Sequence, residues 1–439
     1  MTPSSASDAK RLHTLVWIVS LSTAGLMFDG YDLVVYGTVV STFLRDPGQI
    51  GPVDPALAGV LGSYALLGVL VGALVAGSIS DIVGRRKMML GAYAWFSLGM
   101  AATAFTHSSI MFGLFRFVTG LGVGVLLATT AALVSEFAPK GKKNFCNAVT
   151  YSGVPLGSLA AAALAIVLFE HIGWRGMFLI GALPFVTLLP LAFWTMPESV
   201  AWLASRGHIE EARRIAAKTG VDIPVFTGTE LAEERGAAGY RGLFGDFPIP
   251  AILIGLMSAT GLMLVYSLNT WLPELMLRAG FDAKGSLSFL LVLNGAAALG
   301  PIIVARFADR FGPKPVVAAS FLLGALAIMA LTLKLPLAAL LAIVALVGIG
   351  TSGTQTLIYG FVANFFPTRV RGAGVAWCAG FGRLGGVGGP LMGGLLIASG
   401  LSIDAIFFVL AGLALLGVVF TLLVPASTKV VTQGVATIH

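Results

Sequence analysis

Two aspartates three residues apart, Asp29 and Asp32, stand inside a long apolar run that reads Phe28-Asp29-Gly30-Tyr31-Asp32-Leu33-Val34-Val35-Tyr36. At helical spacing they share one face, which Tyr36 continues four residues on. A charge at the centre of a bilayer costs about 2.5–3.5 kcal/mol on insertion scales, so acids there face protein or water and mark function. Low dielectric and mutual repulsion both favour a protonated carboxyl. The pair therefore reads as a reversible proton carrier. The competing reading is two structural carboxylates hydrogen-bonded to neighbouring helices. Two other charges lie at the same depth, Arg116 and Arg383. A guanidinium stays charged and can grip a carboxylate with two parallel hydrogen bonds.

The elements that must hold these groups follow from composition. Of 439 residues, 57% are hydrophobic and only 11% charged, whereas a soluble domain carries about 25% charged residues. A soluble enzyme, a nucleic-acid-binding module and a secreted disulfide scaffold are excluded. A bilayer core needs roughly 20 apolar helical residues. Twelve runs meet that need: Leu15–Phe43, Leu57–Ser80, Met88–Phe105, Ile110–Val134, Cys146–Phe169, Gly176–Met196, Ile249–Met276, Leu287–Ala305, Val316–Leu333, Leu337–Phe361, Gly372–Ile397 and Ile403–Val424. The first is too long for a cleavable signal peptide. Cys146 and Cys378 sit in apolar runs without metal spacing, the five histidines lie at or beyond the edges of the runs, and neither a metal site nor a cofactor is expected.

Basic residues concentrate on the cytoplasmic side of membrane proteins. With both termini inside, 20 of the 27 Lys and Arg residues fall on that side. Five (Arg45, Arg175, Arg278, Lys284, Lys334) fall opposite, and only Arg116 and Arg383 lie within spans. This asymmetry accounts for the net charge of +7 without nucleic acid.

The chain also repeats itself. Asp81, Gly84, Pro139 and Leu156-Gly157 recur 228 residues later as Asp309, Gly312, Pro367 and Leu384-Gly385. Two related six-span halves result, 1–197 and 248–439, joined by a polar linker at 198–247. Ser199–Lys218 in that linker reads as one amphipathic helix able to lie on the membrane or the bundle. Two such halves around a central path are a transporter layout. The equivalents of Asp29 and Asp32 are Met257 and Thr260, and that of Arg383 is Pro155. The intramembrane charges thus break the repeat and specialise each half.

The turn after span 2 reads Gly77-Ser-Ile-Ser-Asp81-Ile-Val-Gly84-Arg85-Arg86, and that after span 8 reads Ala305-Arg306-Phe-Ala-Asp309-Arg310-Phe-Gly312. Both resemble the G-x-x-x-D-R-x-G-R-R signature of the major facilitator superfamily, with Ile82 departing in the first copy and Pro313 in the second. Arg116-Phe-Val-Thr-Gly120-Leu-Gly122-Val-Gly124, Ser135-Glu136-Phe-Ala-Pro139 and Pro197-Glu198-Ser199 resemble further signatures of that superfamily. The fold expected is therefore an all-α integral membrane protein of twelve transmembrane helices in two pseudo-symmetric six-helix bundles. The resemblance implies gating or structural roles for Asp81, Gly84, Arg85, Arg86, Arg116, Glu136, Asp309 and Arg310. Read from residues alone, the Gly120–Gly124 run is helix packing, and Arg116 is a brace to Glu136 or to the loop at Asp81.

Asp29-Gly-Tyr-Asp32 and Asn269-Thr-Trp271-Leu-Pro273 resemble the aromatic acid:proton symporter family within that superfamily. The resemblance implies proton coupling by Asp29 and Asp32 and import of an aromatic carboxylate of the benzoate, hydroxybenzoate, protocatechuate or gentisate type. Arg383 is then the candidate for the substrate carboxylate, against an ion pair with Asp29 or Asp32. Tyr31, Tyr36, Trp271, Tyr266, Tyr359 or Trp377 would meet the ring, with Asn269, Asn294 and Gln355 as polar contacts. Each of these alone serves equally as a packing residue. No G-x-x-x-x-G-K-[ST] loop occurs, so an ion gradient rather than ATP is the expected drive. Enzyme chemistry is not expected. The alternatives are a porter of a non-aromatic acid or sugar, or a non-transporting sensor. The expected partners are the small-molecule acid, protons and the lipid bilayer. A monomer in the cell membrane, with both termini cytoplasmic, completes the reading.

Overall fold

The computed structural model describes residues 3–139, 142–221, 239–366 and 368–425; the side chains of 3–9, 77, 78, 81, 144, 302, 363, 368 and 369 lie outside that description. Every long element is helical. The N-terminal half holds α1 (Pro3–Arg45), α2 (Pro55–Val83), α3 (Arg85–Ala104), α4 (Ser109–Phe137), α5 (Lys143–Tyr151), α6 (Gly153–Gly181) and α7 (Leu188–Thr195). Short helices α8 (Val200–Ser205), α9 (Ile209–Thr219) and α10 (Gly239–Asp246) follow. The C-terminal half holds α11 (Pro248–Arg278), α12 (Ala283–Phe311), α13 (Pro313–Ala330), α14 (Leu337–Gly348), α15 (Thr354–Phe365), α16 (Thr368–Ala398) and α17 (Ile403–Leu423).

Local chemistry sets the ends of these helices. The Asp54 carboxylate accepts from the Leu57 amide at 2.7 Å and Pro55 opens α2. Asp282 caps α12 through the Gly285 amide at 3.1 Å, and Ser402 caps α17 through Ala405 at 3.2 Å. Each cap satisfies a donor left over in a first turn. The 228-residue repeat survives in three dimensions. Helices α2 and α12 begin and end in that register, and so do α4 and the α14–α15 pair. Gly84 (φ +99°) and Gly312 (φ +86°) turn the chain at equivalent places.

Nine helical stretches among the described residues are long and apolar enough to cross a membrane. The other expected spans are present in altered form. Helix α3 and the glycine-rich α16 have the length but a diluted apolarity. Spans 5 and 6 meet in α6, which bends at Gly173 (φ +61°), and span 6 is completed by a short turn at Leu183–Phe185 and by α7. Span 10 is broken by a π-helical turn, Ile349–Gly353, where a Cβ on Gly350 would strike the Gly324 backbone of α13. The linker differs more. Ser199–Lys218 is not one helix but two, because Gly207 (φ +81°) breaks it. Val200, Leu203 and Ala212 pack together under Trp202 and Ile215. The linker stretch 222–238 lies outside the described residues.

Glycine sets how closely the helices approach. A Cβ on Gly157 would strike the Met27 carbonyl, and one on Gly30 would strike that of Val154, so α1 and α6 meet backbone to backbone. Gly385, the repeat of Gly157, meets the Ala259 carbonyl and joins α16 to α11 in the same way. Gly120 and Gly124 face α2, while Gly122 faces Trp95 and Phe96 of α3. Helix packing is therefore the role of that run, as small residues allow in a bilayer. Overpacking such a contact costs about 1–3 kcal/mol. Gly157→Ala is accordingly expected to lower the melting temperature in detergent, whereas Gly412→Ala, with nothing within 4 Å of its Cβ position, leaves it unchanged or slightly higher.

Candidate functional site

The packing of α1 on α6 fixes the two aspartates in the middle stretch of α1. Asp32 forms a buried ion pair with the Arg116 guanidinium of α4, each side chain 2% exposed. The Tyr36 and Phe178 rings lie 5.5 and 5.7 Å from the same guanidinium. Arg116 is thus a brace, but to Asp32 rather than to Glu136. Charge spacing along one helix could not reveal this, because the partner comes from another helix.

Asp29 is also buried, at 4% exposure, yet among the described residues it makes no hydrogen bond or ion pair. Arg383 of α16, from the other half, acts on it electrostatically. Arg383 is half-buried, and it too has no direct partner among the described residues. Its flanking glycines seat α16 on α11: a Cβ on Gly382 would strike Ser258, and one on Gly386 would strike the Tyr266 ring. Tyr151, Tyr266 and Tyr359 all lie within electrostatic range of Arg383. Four helices from both halves (α5, α11, α15, α16) and α1 thereby surround one acid and one base. Tyr151 escaped the sequence reading, since an isolated tyrosine near the end of a span carries no pattern.

The remaining candidates divide. The Tyr31 hydroxyl donates to the Met177 carbonyl at 2.7 Å, and that of Tyr36 to Ala58 at 2.6 Å. Trp271 is 1% exposed and its indole N–H donates to the Pro390 carbonyl at 2.8 Å. Asn294 donates to Asn269 at 2.8 Å, tying α12 to α11. Gln355 donates to the Ser258 hydroxyl at 3.0 Å and keeps a buried carbonyl oxygen with no partner. Trp377 bonds the Ala251 carbonyl at 2.7 Å.

The gating residues are unequal between halves. Arg85 pairs with Glu136 at 3.4 Å, and Glu136 also accepts from Ser199. Glu198 accepts from the amides of Arg86 and Ser199, each at 2.9 Å, and lies beside Gly84. In the second copy Asp309 and Arg310 are exposed, and Arg310 lies over the Phe311 ring. The Asp81 side chain lies outside the described residues.

Two six-helix halves that bury a mid-depth acid and base define a membrane transporter of the major facilitator fold, not an enzyme. Residues 17–434 match the "Sugar (and other) transporter" family, and the chain belongs to it. It is 33% identical over 429 residues to the benzoate transport protein of Acinetobacter baylyi, covering 95% of this chain and 91% of that one. It is 36% identical over 397 residues to the gentisate transporter of Corynebacterium glutamicum, covering 89% and 83%. With these relatives it stands in the aromatic acid branch of the superfamily. Among solved structures, a D-xylose-proton symporter matches with TM-score 0.74 at 18% identity, covering 94% of this chain and 98% of that one. The partially occluded inward open form of XylE from E. coli matches with the same score at 19% identity, covering 95% and 99%. These two similarities bear on the fold.

Removing one partner of a buried ion pair costs about 3–5 kcal/mol, because the other charge is left uncompensated. Asp32→Asn is expected to lose stability of that order. Asp32→Asn combined with Arg116→Gln should recover part of it in thermal unfolding in detergent.

Proposed function

We propose that the chain is a proton-coupled symporter importing an aromatic carboxylate by alternating access. Halves 1–197 and 248–439 move about the linker 198–247, in a monomer of the cell membrane with both termini cytoplasmic. The observation that carries this reading is the pair Asp29 and Arg383. They are opposite charges from opposite halves, at mid-depth, without a direct partner. A substrate carboxylate and the Asp29 carboxylate are competitors for Arg383. Protonating Asp29 removes one competitor and leaves the guanidinium to the substrate. Protonating Asp32 would loosen Arg116 in the same manner, so each acid links a proton to an arginine. The tyrosines around Arg383 supply ring faces, and the hydroxyls of Tyr266 and Tyr359 would suit a substituted ring. The names of the relatives support an aromatic substrate, and the 20 cations assigned to one side support the orientation.

The test is uptake of labelled benzoate, gentisate and an aliphatic monoacid, with and without an uncoupler. Uptake is expected to collapse with the uncoupler and to fall as external pH rises. A charge-assisted hydrogen bond is worth about 1.5–3 kcal/mol, so Arg383→Ala should cut uptake roughly tenfold or more. Asp29→Asn should lose gradient-driven accumulation while keeping substrate exchange. Uptake indifferent to pH and uncoupler rejects the coupling, and full uptake by Arg383→Ala rejects the anion site. Preference for the aliphatic acid would make this a porter of non-aromatic acids.

A further inference from the structure

Three polar contacts join the two halves among the described residues: Arg45 with Glu274, Ser63 with the Val387 carbonyl, and Lys284 with Glu170. All lie toward the face opposite the chain termini, where α1 and α11 end, α6 bends at Gly173, and α2 and α12 begin. Beneath them the backbones touch. A Cβ on Gly37 of α1 would strike the Asn269 carbonyl of α11, and one on Gly59 of α2 would strike the Pro390 carbonyl of α16.

We propose that Arg45, Glu274 and Arg278 form the latch that holds the face opposite the termini shut. The Glu274 side chain is 3% exposed and is bonded by two guanidiniums. Arg278, one turn along the same helix, donates from Nε at 2.7 Å. Arg45, the last residue of α1, reaches across from the other half at 3.3 Å and is itself 54% exposed. The division of labour explains why one acid has two bases. When the halves part, Arg45 leaves into water at little cost, because its guanidinium is already half-solvated. Glu274 cannot be stripped so cheaply, since a buried unpaired carboxylate is heavily penalised. Arg278 travels with it and keeps it neutralised throughout. The Lys284–Glu170 pair is more than half exposed at both partners, and pairs of that kind contribute little. The crossing bond from Arg45 is therefore the one that sets how often this face opens.

The latch does not depend on which substrate is carried, or on how protons are coupled. It is tested on purified protein in detergent, by the rate at which a maleimide labels Ser63→Cys in a background of Cys146→Ala and Cys378→Ala. Ser63 is 8% exposed and closed over by α16. Arg45→Gln and Glu274→Gln are each expected to speed labelling about three- to tenfold, in keeping with a partly exposed ion pair. Arg45→Lys should stay within twofold of the parent. Arg278→Gln should not speed labelling and should slow it, because opening would then leave the buried Glu274 carboxylate without a base. Unchanged rates in both Arg45→Gln and Glu274→Gln overturn the latch. So does an Arg278→Gln variant as fast as Arg45→Gln, which would reduce the cluster to local packing. Should Glu274→Gln fail to elute as a single species, Arg45→Gln, at an exposed helix end, carries the test alone.

Discussion

Charge in a medium that cannot solvate it is the constraint on which this molecule is organised. Four ionised or ionisable groups lie at mid-depth, and each must be balanced by protein. Asp32 and Arg116 balance each other inside one half, with aromatic rings around the guanidinium. Asp29 and Arg383 face each other from different halves and stay apart. The first pair belongs to the architecture of a rigid unit. The second is a relation between the two halves, so any change in their separation would act on it.

Helix packing serves that arrangement. The glycines of α1, α6, α11 and α16 bring backbones into direct contact, so the helices bearing Asp29 and Arg383 are placed by main chain rather than by flexible side chains. Positions set this way vary little with rotamer changes nearby. Of these glycines Gly157 recurs at the equivalent place of the repeat, as Gly385, while the four intramembrane charges do not recur. Symmetry supplied the frame, and its local loss supplied the chemistry.

Much of this was legible in the sequence. The spans, the 228-residue repeat and the isolated charges follow from hydropathy and spacing, which are local properties. Partnerships are not local. That Arg116 meets Asp32, that Glu136 joins Arg85 and Ser199, and that Tyr151 approaches Arg383 all depend on which helices become neighbours. Gly207 shows the opposite failure. An amphipathic pattern continued through it, but its backbone conformation ended the helix. Trp271 adds a contact that spacing could not show: its indole N–H donates to the Pro390 carbonyl.

That seam has a kinetic meaning. Where the halves meet opposite the termini, Gly37, Gly59 and Gly394 lie against carbonyls of the facing helices, Asn269, Pro390 and Pro55. Smooth main-chain surfaces carry no interlocked side chains that must withdraw before the surfaces part. Separation there then needs few rotamer transitions, and once the Arg45–Glu274 pair has parted it costs the wetting of exposed carbonyls rather than the unthreading of a packed core. Turnover in such a protein would be paced by how fast water enters a narrow polar cleft.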